Sequence, residues 1–86
     1  MKKDIVMIYS DGCPKCQEMI DLLEKCVGNS NLTVGYYNCD DPGALDIALD
    51  NNISDLPGCC IGGTVVVEGE KFSRNEIIAA IKDLIG

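Results

Sequence analysis

Ile5-Val6-Met7-Ile8-Tyr9, inside the stretch Asp4–Ser10, is apolar without a break. A short β-branched run of this kind predicts a buried strand. The period then changes. Cys16, Met19, Ile20, Leu23, Cys26 and Val27 recur at steps of three and four, which is one face of a helix, and Gly28 closes it. Leu32–Asn38 ("LTVGYYN") reads as a second strand. In "DPGALDIALDNN", Asp41 is suited to a helix N-cap and Pro42 to the first helical position. The apolar stripe of that helix is expected to be Leu45, Ala48 and Leu49, continuing to Ile53 beyond its end. Gly62-Gly63 between "CCI" and "TVVV" is a two-residue hairpin signal. Ser73 and Glu76 have capping-box spacing ahead of Ile77, Ile78, Ile81, Leu84 and Ile85, the apolar face of a last helix.

The predicted order is β-α-β-α-β-β-α. Two parallel strands joined by a right-handed crossover, followed by a hairpin, make an α/β fold with a four-stranded mixed sheet flanked by helices. A chain of 86 residues with 47% apolar content points to one globular domain, residues 1–86.

Charge narrows the partners. The net charge is −7, and Lys2, Lys3, Lys15, Lys25, Lys71, Arg74 and Lys82 are scattered. Such a surface repels nucleic-acid backbones and anionic membranes, so neither is an expected partner. No apolar run is long enough to cross a bilayer. The start reads without a signal peptide, so a cytoplasmic location is expected.

Six cysteines stand at 13, 16, 26, 39, 59 and 60, and histidine is absent. In a reducing compartment thiols are catalytic, metal-binding or simply buried. The absence of histidine removes His-assisted catalysis and mixed Cys/His zinc sites. Cys13 and Cys16 are three positions apart in "SDGCPKCQEM". A strand feeds into Cys13 and a helix starts there, with Pro14 suited to its first turn. Free backbone N–H groups and the helix dipole at that point favour an anion, and a thiolate is one. Cys13 is therefore the candidate nucleophile, and Lys15 adds a positive charge nearby. Cys16 opens the apolar stripe of the helix, so it points partly inward. A protected thiol one turn from a reactive one can resolve a mixed disulfide. A C-x-x-C is also half of a zinc site, but no second C-x-x-C exists.

With C-P-x-C at a strand-to-helix junction, "DLPGCC" opening a hairpin and a capped last helix, the chain resembles the thioredoxin-fold redoxins. Within them it looks most like small glutaredoxin-like and thioredoxin-like proteins. The resemblance implies a cis Leu56–Pro57 bond beside the C-x-x-C, with Leu56 pairing backbone to backbone with substrate. It implies a protein-disulfide oxidoreductase that needs no bound cofactor. Its partners are a disulfide-containing protein and a reductase or small thiol as electron donor, and the chain is expected to act as a monomer. The chain departs from the family in several places: Ser10-Asp11-Gly12 stands where glutaredoxins have a basic residue upstream, and it has neither the Trp before the first Cys nor the Gly-Pro between the cysteines of thioredoxins. Lys15 stands where glutaredoxins carry Tyr. "EKFSRNE" replaces their glutathione-binding Gly-Gly-x-Asp, and Asp11 would repel an acidic tripeptide. Met7 holds the place of the buried Asp of thioredoxins, six residues before the first Cys.

The remaining cysteines leave alternatives open. Cys26 reads as a buried small hydrophobe. Cys39 is expected near the Cys13 side of the sheet, outside bonding distance. Cys59 and Cys60 alternate, so only one faces the helix carrying Cys16. A soft-metal or iron–sulfur carrier using Cys13, Cys16 and either Cys39 or Cys59 is the main alternative. A redox-silent binding module presenting the Leu56 edge is a third.

Overall fold

Alternation along the first strand decides the layering. In the computed structural model, which describes residues 3–28, 30–69 and 71–86, β1 (Ile5–Tyr9) buries Ile5 and Met7 on one face and Val6 and Ile8 on the other. A strand buried on both faces must be central, and it is. The sheet order is β2-β1-β3-β4, with β2 (Val34–Asn38) parallel to β1 and β3 (Gly58–Ile61) antiparallel to it. β4 (Thr64–Glu68) closes the sheet as the hairpin partner of β3. The expected fold class and element order are those observed. The expectation of a leaderless start, which falls on Met1 and Lys2, lies outside the described residues, as does Glu70.

Gly62 and Gly63 form the tip of the hairpin, both at positive φ (59° and 86°). That is the pair of left-handed residues a two-residue turn requires. Cys59 pairs with Val67 and Cys60 with Val65, so β4 carries a bulge at Val66. At the other edge, Asp4 and Thr33 lock the start of the parallel pair. The Asp4 N–H donates to Thr33 Oγ1 (3.0 Å), and the Thr33 N–H donates back to Asp4 Oδ2 (2.9 Å).

Two helices cover one face. α1 (Pro14–Val27) contributes Cys16, Met19, Leu22 and Leu23, and α3 (Arg74–Ile85) contributes Ile77 and Ile81. These pack on Ile5, Met7, Cys59, Ile61 and Val67 as one cluster. Ser73 caps α3 by accepting the Glu76 N–H at 3.4 Å, and Gly28 ends α1 with its N–H on Glu24 O. The opposite face is thinner. Val6, Ile8, Ile53 and Cys60 are its buried members, with Ile47 and Ala48 of α2 (Ala44–Asp50) packed against them.

α2 departs from the sequence expectation in two respects. It begins at Ala44, with Gly43 at the N-cap in the left-handed region (φ 87°), rather than at Pro42 behind an Asp41 cap. Asp41 O instead accepts the Ala44 N–H as part of a turn. The inward side is Ala44, Ile47 and Ala48, whereas Leu45 and Leu49 are 71% and 64% exposed. Once Gly43 turns the chain, the helix enters rotated relative to the expected stripe. Ile53 is buried, as expected. Strand ends also trim by a residue or two, to Ile5–Tyr9 and Val34–Asn38. No helix among the described residues is long and apolar enough to cross a membrane.

Candidate active site

Where β1 ends, Ser10 to Gly12 lead directly into the first turn of α1. Cys13 is the N-cap, with extended φ/ψ (−101°, 105°), and Pro14 follows in the first turn. Pro14 suits this place because its missing N–H would have no helical partner. Cys13 Sγ accepts the Cys16 N–H at 3.2 Å, the bond a capping oxygen would make elsewhere. The half-buried sulfur is thus held at the positive end of α1, against an open cavity of about 370 Å³. Tyr9, Asp11, Cys16, Gln17 and Ile20 also line that cavity. Gln17 and Ile20 are not among the expected site residues; their spacing, one turn beyond Cys13 and Cys16, is the signal that places them there.

Cys16 lies one turn on and is 1% exposed, inside the main cluster. Burial pushes its thiol up to about 11, reinforced by the hydrogen bond to Cys13 and by charge on the Cys13 and Cys39 sulfurs. Both cysteines are free thiols. The chain thus places an accessible sulfur and a protected, protonated one in a single helical turn. Lys15 directs its ammonium to Glu18 Oε2 (3.3 Å), an exposed pair on the outer side of α1.

Met7 is fully buried, flanked across the sheet by Tyr36 and Cys59. No polar or charged side chain among the described residues is buried. No carboxylate therefore lies beneath the cysteine pair.

The Leu56–Pro57 peptide is cis, as expected. Pro57 is buried immediately before β3, and register pairs Gly58 with Ile8. This sets Pro57 beside the end of β1 from which the Cys13 loop departs. Three ties hold the segment. Ser54 Oγ donates to Glu68 Oε2 (2.7 Å), the Gly69 N–H donates to Pro57 O (3.0 Å), and Ile53 N–H donates to Ala48 O (2.8 Å). Gly58 has no room for a side chain, because a Cβ there would stand 2.7 Å from Asp55 O and overlap Ile53. The backbone N–H and C=O of Leu56 make no hydrogen bond among the described residues. Leu56 opens onto a second cavity, with Ile8 and Cys39, rather than the one at Cys13.

The other thiols separate. Cys59 is buried in the cluster of Cys16, and burial pushes it up to about 12; Cys60 is buried on the opposite face. Cys26 is half-buried against the main cluster, less enclosed than its place on the stripe implied. Cys39 is exposed at the end of β2, its N–H on Tyr9 O at 2.7 Å. Partial desolvation and the Asp40 carboxylate, 3.8 Å away, push its thiol up. Among the described residues, no three His, Cys, Asp or Glu side chains are placed to share a metal ion, so the metal or iron–sulfur alternative is not favoured.

A four-stranded β2-β1-β3-β4 sheet, a C-P-x-C pair at the head of the first helix and a cis proline before β3 together define a thioredoxin-fold redoxin. The thioredoxin-domain family matches residues 3–82, and the chain belongs to that family. A search of curated proteins gives no match. Among solved structures, it is similar to an uncharacterised thioredoxin-like protein from Clostridium perfringens, with 22% identity and a TM-score of 0.67. That alignment covers 96% of this chain and 73% of the other. It is also similar to the oxidised thioredoxin of Plasmodium falciparum, with 14% identity, a TM-score of 0.65, and 98% and 84% of the two chains covered. At these identities the likeness shows the fold, while the family match supports thioredoxin-type redox chemistry in general.

Proposed function

We propose that the chain is a thiol–disulfide oxidoreductase that reduces protein disulfides by a dithiol mechanism, as a single-domain monomer. One observation carries this reading: the accessible Cys13 sulfur caps α1 while its neighbour Cys16 is buried one turn away. Cys13 thiolate attacks one sulfur of a substrate disulfide. That S–S bond breaks, a mixed disulfide forms at Cys13, and the first substrate sulfur leaves as a thiolate. Cys16 then loses its proton and attacks Cys13 Sγ. The mixed disulfide breaks, the second substrate thiolate leaves, and Cys13–Cys16 becomes a disulfide. The substrate has gained two electrons and, from solvent and Cys16, two protons.

Leu56 offers its free N–H and C=O to an extended substrate segment beside Pro57, a one-residue version of strand addition. Lys15 has the lesser part, since reaching the Cys13 sulfur requires leaving Glu18. A reductase or small thiol restores the dithiol. A reducing compartment such as the cytosol suits that cycle.

The test is turnover of a disulfide-bonded protein with a dithiol donor. Cys13→Ser should abolish it. Cys16→Ser should stall after the first step and accumulate a mixed disulfide visible by mass spectrometry. Full activity in Cys13→Ser would falsify the assignment.

A further inference from the structure

Charge and exposed apolar residues coincide in and around α2. Residues 26–70 contain no lysine or arginine but seven of the fourteen acidic residues. The other seven balance the seven bases, so the whole net charge of −7 falls within that half. Asp40, Asp41, Asp46, Asp50 and Asp55 are all exposed, and none makes an ion pair among the described residues. They adjoin Cys39, Leu45, Leu49 and Leu56 in sequence.

The same region carries a groove of about 180 Å³ between α2 and the sheet, lined by Ile8, Ala44, Leu45, Ile53 and Leu56. Leu45 and Leu49 are one helical turn apart, so they stand on one outward stripe. Large apolar side chains left open beside a groove mark a contact surface when they are contiguous. Here the groove reaches Leu56, the residue proposed above to pair with the substrate.

Resting on the disulfide-exchange reading above, we infer that the α2 groove selects the substrate: a protein whose reducible cysteine sits in a Lys/Arg-rich segment with an apolar side chain nearby. The apolar side chain enters the groove over Leu45, and the basic residues meet the aspartates around it. A second copy of this chain fits poorly, because its own aspartates would face these. An anionic membrane is repelled for the same reason.

The test compares hydroxyethyl disulfide, a small neutral substrate, with two disulfide-bonded peptides. The peptides share a leucine two residues from the cysteine and differ only in Lys or Glu flanks. The Lys peptide should be reduced about tenfold faster in kcat/KM than the Glu peptide at low salt, the gap closing toward about 0.5 M salt. The paired variant L45Q/L49Q should lose most of the rate on the Lys peptide, while hydroxyethyl disulfide reduction stays unchanged. D46N/D50N should shrink the Lys-over-Glu gap and flatten its salt dependence. Equal rates on the two peptides, with hydroxyethyl disulfide still reduced, would overturn this inference and leave the oxidoreductase reading standing. No reduction of any of the three would remove both. Dimerisation in sedimentation that L45Q/L49Q abolishes would overturn it in favour of self-association.

Discussion

The two faces of the sheet are built to different standards. Beneath α1 and α3, eleven buried residues form one cluster, and Cys16 is part of it. Beneath α2 only four buried residues form the second, and both leucines of that helix point outward. The comparison teaches a division of labour within one small chain. The crowded face fixes the fold and holds Cys16 dry. The thin face holds Leu56 and Pro57 in place with a few hydrogen bonds and leaves apolar surface uncovered.

Changes on the two faces should therefore separate by size. The largest effect is expected at high pH, on the crowded face. Folded Cys59 keeps its proton up to about 12, whereas an unfolded thiol loses it near its ordinary value of 9.0. Between those limits unfolding releases a proton, so stability is full below pH 9 and falls as pH rises toward 12. The Cys59 share of the fall is of order 4 kcal/mol across the window. Urea melts of the reduced protein should show it, and Cys59→Val should remove that share, leaving those of Cys16, Tyr36 and Cys39, whose folded values are also raised. Next comes Leu23→Ala, which removes a fully buried side chain from the same cluster. It should cost about 3 kcal/mol in the same melts at neutral pH. Ser73→Ala deletes the α3 cap and should cost about 1 kcal/mol. Leu49→Gln on the thin face should stay within about 0.5 kcal/mol of wild type. A loss at Leu49 comparable to that at Leu23 would erase the contrast between the faces.

Legibility in the sequence follows the same division. Along α1, α3 and the strands of the crowded face, long runs with a clean period place most of the apolar residues as expected; the exceptions are Ile85, which is 55% exposed at the end of α3, where the helix runs past the sheet, and Leu22, which is buried although it lies beside the expected α1 stripe. Cys13 at a helix start, the Gly62-Gly63 turn and the Ser73 cap each have a local mechanism, and each appears where expected. α2 was not legible in the same way. A helix of seven residues spans under two turns, so Ala44, Ile47 and Ala48 compete as a stripe with Leu45, Ala48 and Leu49. Size favours the leucines, but the chain direction set by Gly43 decides for the smaller set. The cis state of Pro57 came from family resemblance, because nothing in "SDLPG" alone demands it. The opening of Leu56 onto the α2 groove rather than the Cys13 cavity depends on tertiary placement that no local pattern encodes.

Met7 has a consequence for timing. A thioether has no lone proton to trade and cannot accept one from Cys16, whose leading constraint, burial, persists after Cys13 is covalently occupied. In the proposed cycle no buried carboxylate among the described residues is there to do so, and the proton must reach solvent, the departing thiolate or the exposed Asp11 that lines the same cavity. The half-finished covalent complex should then linger longer the more acidic the medium. Rapid acid quenching of the unaltered protein, in the presence of its natural mixture of clients, becomes a way to fish those clients out by mass.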